Sequence, residues 1–342
     1  MTAGQPKIAI LTASGKKSKT FSGSEFYFKK LIGEVSRLGG LCYILTPEGI
    51  REKYAEGFSF FAEKHQWRMI KAPLPDVIYN RIPSRNAEIK AEEVFEDLKK
   101  RRIILFNPSF FTKWEIWTVL QEVPLLRPFL PITALLESEE DLKEYTARLG
   151  QAYIKPVNQS KGKGIVKITA EDQQNLMAET LDHPPSRMTV SELWRKLAGS
   201  PAIIQQAIDS DLLNGKKYDL RLLGIFNGCT HKLIGTGVRV SRKQELTTHV
   251  PAGGEAVPFH LIEHRVSKDQ LHFIIETAGK ALMDRYGLIG EFSVDAGLDL
   301  NGNLYIYEIN SKPMKFDEPE IESARIAALG RLFIHIAETR SF

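Results

Sequence analysis

Residues 288–313, LIGEFSVDAGLDLNGNLYIYEINSKP, place the tightest local constraint on the fold: an Asn301-Gly302 pair between two apolar-alternating runs. Such a pair predicts a β-hairpin, because both residues accept the positive φ that two-residue hairpin loops require. A loop of that length pairs Leu300 with Asn303 and sets Asp295 directly opposite Glu308. Alternation then puts Asn310 on the face of Glu308, and Phe292, Val294, Ala296, Leu298, Tyr305, Tyr307 and Ile309 on the other as a core layer. Carboxylates that face each other across a strand pair repel. A cation between them removes the conflict. The oxygen-only set of Asp295, Glu308 and Asn310 suits a hard ion, magnesium or manganese, better than zinc. The plainer alternative, a solvated acidic face, is weakened by the apolar layer behind it.

The chain has 342 residues, enough for about two or three folded units. Its 43% hydrophobic and 26% charged content is that of a globular protein with a sizeable core. A net charge of +4 suits anionic ligands but is too small, and too evenly spread, to argue for nucleic acid. Cys42 and Cys229 both sit among apolar residues and read as buried free thiols. They form neither a zinc pattern nor a disulfide framework, so a reducing, cytoplasmic setting is expected. The first apolar run is too short for a signal peptide, and no stretch approaches a membrane span.

Strand, helix and strand follow one another at 7–12, 24–37 and 41–46, then again at 77–79, 87–101 and 103–106. That order predicts a small α/β domain with a parallel sheet over residues 1–108. Asn107-Pro108-Ser109 marks its end. Helices are expected at 110–121, 137–149, 190–197, 268–286 and 319–337, the last with an apolar stripe of Ile321, Ala324, Ala327, Ala328, Leu332 and Ile336. Strands are expected at 151–157, 164–169, 202–208, 216–226 and 231–240. The polar span 170–200 shows no role of its own.

Lys155 ends a strand just before the loop NQSKGKG. Gly162 and Gly164 allow close backbone approach there, and Lys161 and Lys163 add charge, as a mobile lid over a polyphosphate requires. A triphosphate needs both metal ligands and cations, so this loop gains meaning from the acidic hairpin. Gln205-Gln206-Ala207-Ile208 closes a strand whose end can read an adenine edge. Asp219 and Arg221 share a strand face with Lys217 beside them, and Arg239 lies on the next strand. Arginines beside carboxylates can stabilise a transferring phosphoryl group; an ordinary surface ion pair is an equal alternative. The 249–255 loop offers Gly253 and Gly254 as a backbone cradle for an acceptor carboxylate, and His249 as a general base or a plain loop histidine. Arg81 and Arg85 follow a strand's carboxyl end, where α/β sheets bind ligands, and read either as anion contacts or as solvated charges. The loop ASGKKSKTFSG lacks both Walker and G-x-G-x-x-G spacing and reads as surface.

The order Lys113, Lys155, basic glycine loop, hinge, D-x-R, arginine, G-G, then D…E-x-N resembles the ATP-grasp superfamily, nearest to glutathione synthetase and the RimK-type glutamate ligases. The stretches FFTKWEIWTVL, YIKPVNQSKGKGI, KYDLRLL and GEFSVDAGLD…YEINSKP look like the YheC/YheD family of endospore coat-associated proteins, over 107–342. The resemblance implies an α+β fold: the small N-terminal domain, then a two-lobed ATP-grasp domain at 109–342, with a lid part at 138–207 and a metal-binding part at 208–342. It implies ATP phosphates on Lys113 and Lys155, a lid of Ser160, Lys161, Gly162, Lys163 and Gly164, and an adenine hinge at Gln205, Gln206, Ala207 and Ile208. Many relatives are acidic where Gln206 stands; its amide still offers adenine an acceptor. Lys217 and Asp219 fall beside the nucleotide. Two magnesium or manganese ions are implied, with Asp295 on one, Asn310 on the other and Glu308 bridging. Arg239, with Arg221, would stabilise the acyl-phosphate, and Gly253, Gly254 and Arg81 would line the substrate site. The implied activity is ADP-forming carboxylate–amine ligation, with small carboxylate and amine substrates or a peptide, in the mother-cell cytoplasm or at the spore coat. Coat proteins and a second copy of the chain are the implied partners. The rival readings are a nucleotide-binding coat or assembly protein without turnover, and a kinase on the same fold.

Overall fold

The computed structural model describes residues 4–17, 20–159, 164–197, 199–241, 248 and 253–340. The first six strands form one sheet: β1 (Lys7–Leu11), β2 (Leu41–Ile50), β3 (Ala55–Phe61), β4 (Gln66–Ala72), β5 (Val77–Asn80) and β6 (Ile104–Phe106), ordered β4-β3-β2-β1-β5-β6. β1 pairs in parallel with β2 and β5, and β5 with β6. The expected parallel sheet is therefore present, extended by an antiparallel β2-β3-β4 ribbon. Helix α1 (Glu25–Arg37) starts at Ser24, whose hydroxyl accepts from the Tyr27 N–H, and buries Tyr27, Phe28, Leu31, Ile32 and Val35 along one stripe. The single helix expected at 87–101 is two, α2 (Arg85–Ile89) and α3 (Glu92–Lys100), broken around the buried Ala91.

After α4 (Lys113–Gln121) comes a second sheet: β7 (Thr133–Leu136), β8 (Gln151–Pro156), β9 (Val166–Ala170), β10 (Asn175–Thr180), β11 (Ser186–Thr189) and β12 (Ala202–Gln206), covered by α5 (Glu139–Leu149) and α6 (Val190–Leu197). The polar span 170–200 holds two strands besides its helix. Only Leu176 and Ala178 of β10 are buried and none of β11, so apolar alternation is faint there.

The third sheet contains β13 (Leu212–Leu213), β14 (Lys216–Phe226), β15 (His231–Val240), β16 (Glu255–Val257), β17 (Glu291–Leu298) and β18 (Leu304–Asn310), with main order β16-β15-β14-β17-β18. Helix α7 (Lys268–Tyr286) packs on it, and the last helix, α8 (Pro319–Thr339), packs back on α1. One apolar cluster runs from Ile8, Phe28 and Tyr79 to Leu223, Leu329 and Phe333, so the first and third sheets share a core. The stripe of α8 is turned from the expected one. Ala324 is exposed, while Arg325 is 1% exposed and sits among Ile321, Ile326 and Leu329. Cys42 is buried as expected, but Cys229 is exposed, because it lies in the turn whose Cys229 and Thr230 N–H groups bond to Asn227.

Candidate active site

The β17–β18 hairpin corrects the expectation in two ways that cancel. Leu298 pairs with Leu304, and the Asp299 and Gly302 N–H groups bond to the Asn303 and Asp299 carbonyls, so the loop holds three residues, with Gly302 at φ +80°. The Asp299 carboxylate organises it by accepting from the Asn301 and Asn303 N–H groups. A bulge at Tyr307 then shifts the ladder by one, and Asp295 pairs with Glu308 as the sequence predicts. Before the bulge the faces swap: Leu304 and Ile306 are buried in place of Tyr305 and Tyr307, which are half-buried.

β17 lies inside the sheet, with Asp295 paired to Arg221 on β14 as well as to Glu308. Arg239 donates two hydrogen bonds to Asp219, at 2.8 and 2.6 Å, and its Nη2 lies 3.1 Å from Asp295 Oδ1. Burial opposes the charge on Arg239, but Asp295 and Asp219 outweigh it and raise its pKa. Burial raises the pKa of Asp219 against the pull of Arg239. Asp295 Oδ1 is buried and receives no well-aligned hydrogen bond. With Arg239 Nη2 beside it and the carboxylate of Glu308 and the amide of Asn310 on the same face, this oxygen-rich set fits a hard divalent cation. Among the described residues no three His, Cys, Asp or Glu side chains form a metal cage. Phosphate oxygens would have to complete the coordination shell, which is how magnesium is commonly held.

The cations approach from α4 and from the second sheet. Thr112 and Glu115 form a capping box at the start of α4, which fixes Lys113 in the first turn. Lys113 Nζ donates to the Gln159 carbonyl and lies 3.9 Å from Glu308 Oε1. Lys155, on β8, donates to the Gln205 amide oxygen across the pairing of Lys155 with Ile203. Burial lowers the pKa of Lys155 to about 8, although Glu308 opposes the shift. Gln205 is 5% exposed, and its amide nitrogen donates to Thr133 Oγ1 at 3.1 Å. Gln206 is tied to Ile132 through both its backbone N–H and its amide oxygen.

A cavity of about 710 Å³ joins these parts, lined by Lys113, Lys155, Gln205, Gln206, Ile208, Lys217, Asp219, Arg221, Arg239, Asp295, Glu308 and Asn310, and also by Arg81 and Arg85. Arg85 is held by Asn158 and the Phe111 carbonyl, and Arg81 lies 3.3 Å from Glu291. Ala207, Gly164, Gly253 and Gly254 are not part of the lining. Ser160, Lys161, Gly162, Lys163 and His249 lie outside the described residues.

Three supports of this site escape a reading of the sequence. The buried Asn107, at φ +56°, accepts from Gly290 and Glu291 N–H groups and donates to the Glu291 and Ser311 carbonyls, clamping both ends of the hairpin. Glu291, fully buried, is forked by Arg325 at 2.8 and 2.9 Å, and these cations lower its pKa against the effect of burial. Lys312 donates to Glu88, which also accepts from the Phe110 N–H and Asn80. The Asn107-Pro108 pair, read from the sequence as a boundary, was the one local sign of Asn107; Glu291 and Arg325 have none, being charges inside apolar runs.

The model of the YheC/D-like ATP-grasp family matches residues 102–337. The endospore coat-associated protein YheD of Bacillus subtilis (strain 168) is 29% identical over 342 aligned residues, covering 92% of this chain and 75% of that protein. Among solved structures, the ATP-grasp ligase PsnB in complex with a minimal precursor superposes with a TM-score of 0.60 at 13% identity, covering 97% of this chain and 99% of that one. D-alanyl-alanine synthetase A from Vibrio cholerae O1 biovar eltor gives 0.58 at 13% identity, covering 98% of each chain. The fold is thus the mixed α/β architecture of ATP-grasp ligases, and the chain belongs to the YheC/D-like ATP-grasp family.

Proposed function

We propose that this chain is an ATP- and magnesium-dependent carboxylate–amine ligase that works through an acyl-phosphate. The observation that carries the reading is one cavity in which the Asp295–Glu308 pair faces Lys113 and Lys155. Lys113 and Lys155 bind the phosphates, and Gln205 holds Lys155 in place. The 205–208 segment holds adenine, with Lys217 and Asp219 nearby. Asp295, Glu308 and Asn310 hold the metal, which when bound draws negative charge from the phosphate oxygens. A substrate carboxylate oxygen bonds to the γ-phosphorus as the bond to the β,γ-bridging oxygen breaks and ADP leaves. An amine nitrogen then bonds to the acyl carbon, the acyl carbon–oxygen bond breaks, and inorganic phosphate leaves with the amine proton passing to solvent. Arg239, fixed by Asp219, stabilises the charge on the acyl-phosphate and its tetrahedral successor. The division at 108 and 207, and a role at the spore coat suggested by the name of YheD, belong to the same proposal.

Hydroxylamine trapping tests it. Incubation with magnesium-ATP, a donor pool such as spore extract and hydroxylamine should yield ADP and a hydroxamate in equal amounts. ADP with a phosphorylated alcohol and no hydroxamate would mark a kinase. Nucleotide binding with no ADP under any donor would mark a protein without turnover.

A further inference from the structure

Past the metal-ligating carboxylates the cavity continues toward the first sheet, where Tyr27, Arg81, Arg221, Met314, Lys315 and Arg325 line it. Its lining holds ten basic side chains and three carboxylates, Asp219, Asp295 and Glu308. A metal–triphosphate carries its own positive and negative charge and neutralises little of this excess. Several of the cations already have carboxylate partners. Arg239 has Asp219 and Asp295, Arg325 and Arg81 share Glu291, and Lys312 has Glu88. Arg85 and Lys155 are held by neutral oxygens on the lid side.

Arg221 and Lys315 are different. Among the described residues neither has a carboxylate within 4.0 Å. Arg221 reaches only the Met314 and Lys315 carbonyls, at 3.1 and 3.3 Å, and stacks on Phe316 with 4.5 Å to the ring centre. A guanidinium carries five N–H donors, so those two carbonyls leave donors over. Burial lowers the pKa of Arg221, and Asp295, outside ion-pairing distance, offsets this only in part. The residue is also directly opposite Asp295 on β17, one strand spacing from the metal-ligating set. Its guanidinium therefore sits within a small molecule's length of the place where a carboxylate would be phosphorylated.

We propose that the acyl donor carries two carboxylates a few ångströms apart, one activated beside Asp295 and Glu308 and the other bound by Arg221 and Lys315. This rests on the ligase reading above and deepens it to a substrate class. The same chemistry is offered by a free dicarboxylate and by a peptide ending in an acidic residue. A monocarboxylate would leave the remaining N–H donors of Arg221 unfilled.

The test uses the full chain loaded with magnesium and a non-hydrolysable ATP analogue. Nucleotide binding is first measured by calorimetry; then glutarate, L-glutamate, the peptide Ala-Ala-Glu and butyrate are titrated separately. At least one of the first three should bind, and butyrate should bind at least about tenfold more weakly. Which of the three binds tells the free acid from the peptide. Arg221→Gln should weaken that probe about tenfold or more, and Arg221→Lys should recover part of the loss. Lys315→Gln, at an exposed side chain that packing does not need, should weaken it severalfold. In Lys315→Gln nucleotide affinity should stay within about threefold of the parent. Nucleotide binding with no binding of the three paired-carboxylate probes, or binding that both variants leave unchanged, overturns the proposal while the ligase reading stands. Absence of nucleotide binding by the parent chain overturns the ligase reading itself.

Discussion

Gln205 and His231 are each buried for a reason that a pattern of apolar residues does not show. Gln205 joins Lys155 to Thr133, so a neutral amide holds the Lys155 charge in the cavity. Gln205→Leu removes that hold. A hydrogen bond to a charged group contributes about 1.5–3 kcal/mol, so the ATP affinity read by calorimetry should fall about tenfold to a hundredfold, with the fold intact by circular dichroism. His231 is 2% exposed, and its Nε2 lies 2.6 Å from the Ile289 carbonyl. Burial lowers its pKa from 6.5 to about 4. As pH falls, the unfolded chain takes up the proton first. The stabilisation by the neutral ring is therefore complete above pH 6.5 and lost toward pH 4, up to about 3 kcal/mol. Urea midpoints should fall steadily through that window and stay level in this respect from pH 7 to 8. The same ring lies 2.2 Å from where a Cβ on Gly279 would stand. Gly279→Ala should destabilise by about 1–3 kcal/mol through overpacking, seen as a lower urea midpoint at every pH.

At the scale of elements, the hairpin shows why a correct register can follow from an incomplete reading. Asn301-Gly302 marks the turn, but Asp299 captures two backbone N–H groups and opens it to three residues. The bulge at Tyr307 restores the offset, because Asp295 and Ile309 must meet fixed neighbours in a packed sheet. Turn chemistry is local and legible; the bulge answers to β14, far away in sequence. Gly302→Val places a β-branched residue at φ +80° and should cost about 1–3 kcal/mol in thermal or urea stability. Nucleotide affinity should change less than about threefold, because β14 and not the turn sets the register. Elsewhere, strong periodicity made β1, α1, β14, α7 and the parallel pairing readable. The β10–β11 hairpin was hidden by its exposed, polar strands, and the exposed Cys229 by apolar neighbours in sequence that do not surround it in space.

Over the whole molecule, the candidate site lies where three sheets meet, and charges hidden in apolar runs hold them there. Tyr79 of the first sheet, Glu291 of the third and Arg325 of α8 form one buried network with Arg81. Glu291→Leu leaves two cations without their anion and should destabilise the chain by about 3–5 kcal/mol, measured as a large drop in melting temperature. Leu329, Phe333 and Ile336 of α8 complete the core that begins at Ile8 and Phe28. Residues 1–108 alone should therefore expose that face and aggregate, and their isolated expression should give no dispersed amide spectrum. That Lys113, Lys155, Asp295, Glu308 and Asn310 line one cavity was legible because motif order survives folding; Asn107, Glu291 and Arg325 were not, because their partners come together only in three dimensions. The most direct test of the central claim is calorimetric titration of a non-hydrolysable ATP analogue into the intact chain, with and without magnesium. Tight, magnesium-dependent binding that weakens about tenfold or more in Glu308→Gln and in Lys155→Ala is expected. No binding, or binding indifferent to magnesium and to both substitutions, would contradict it.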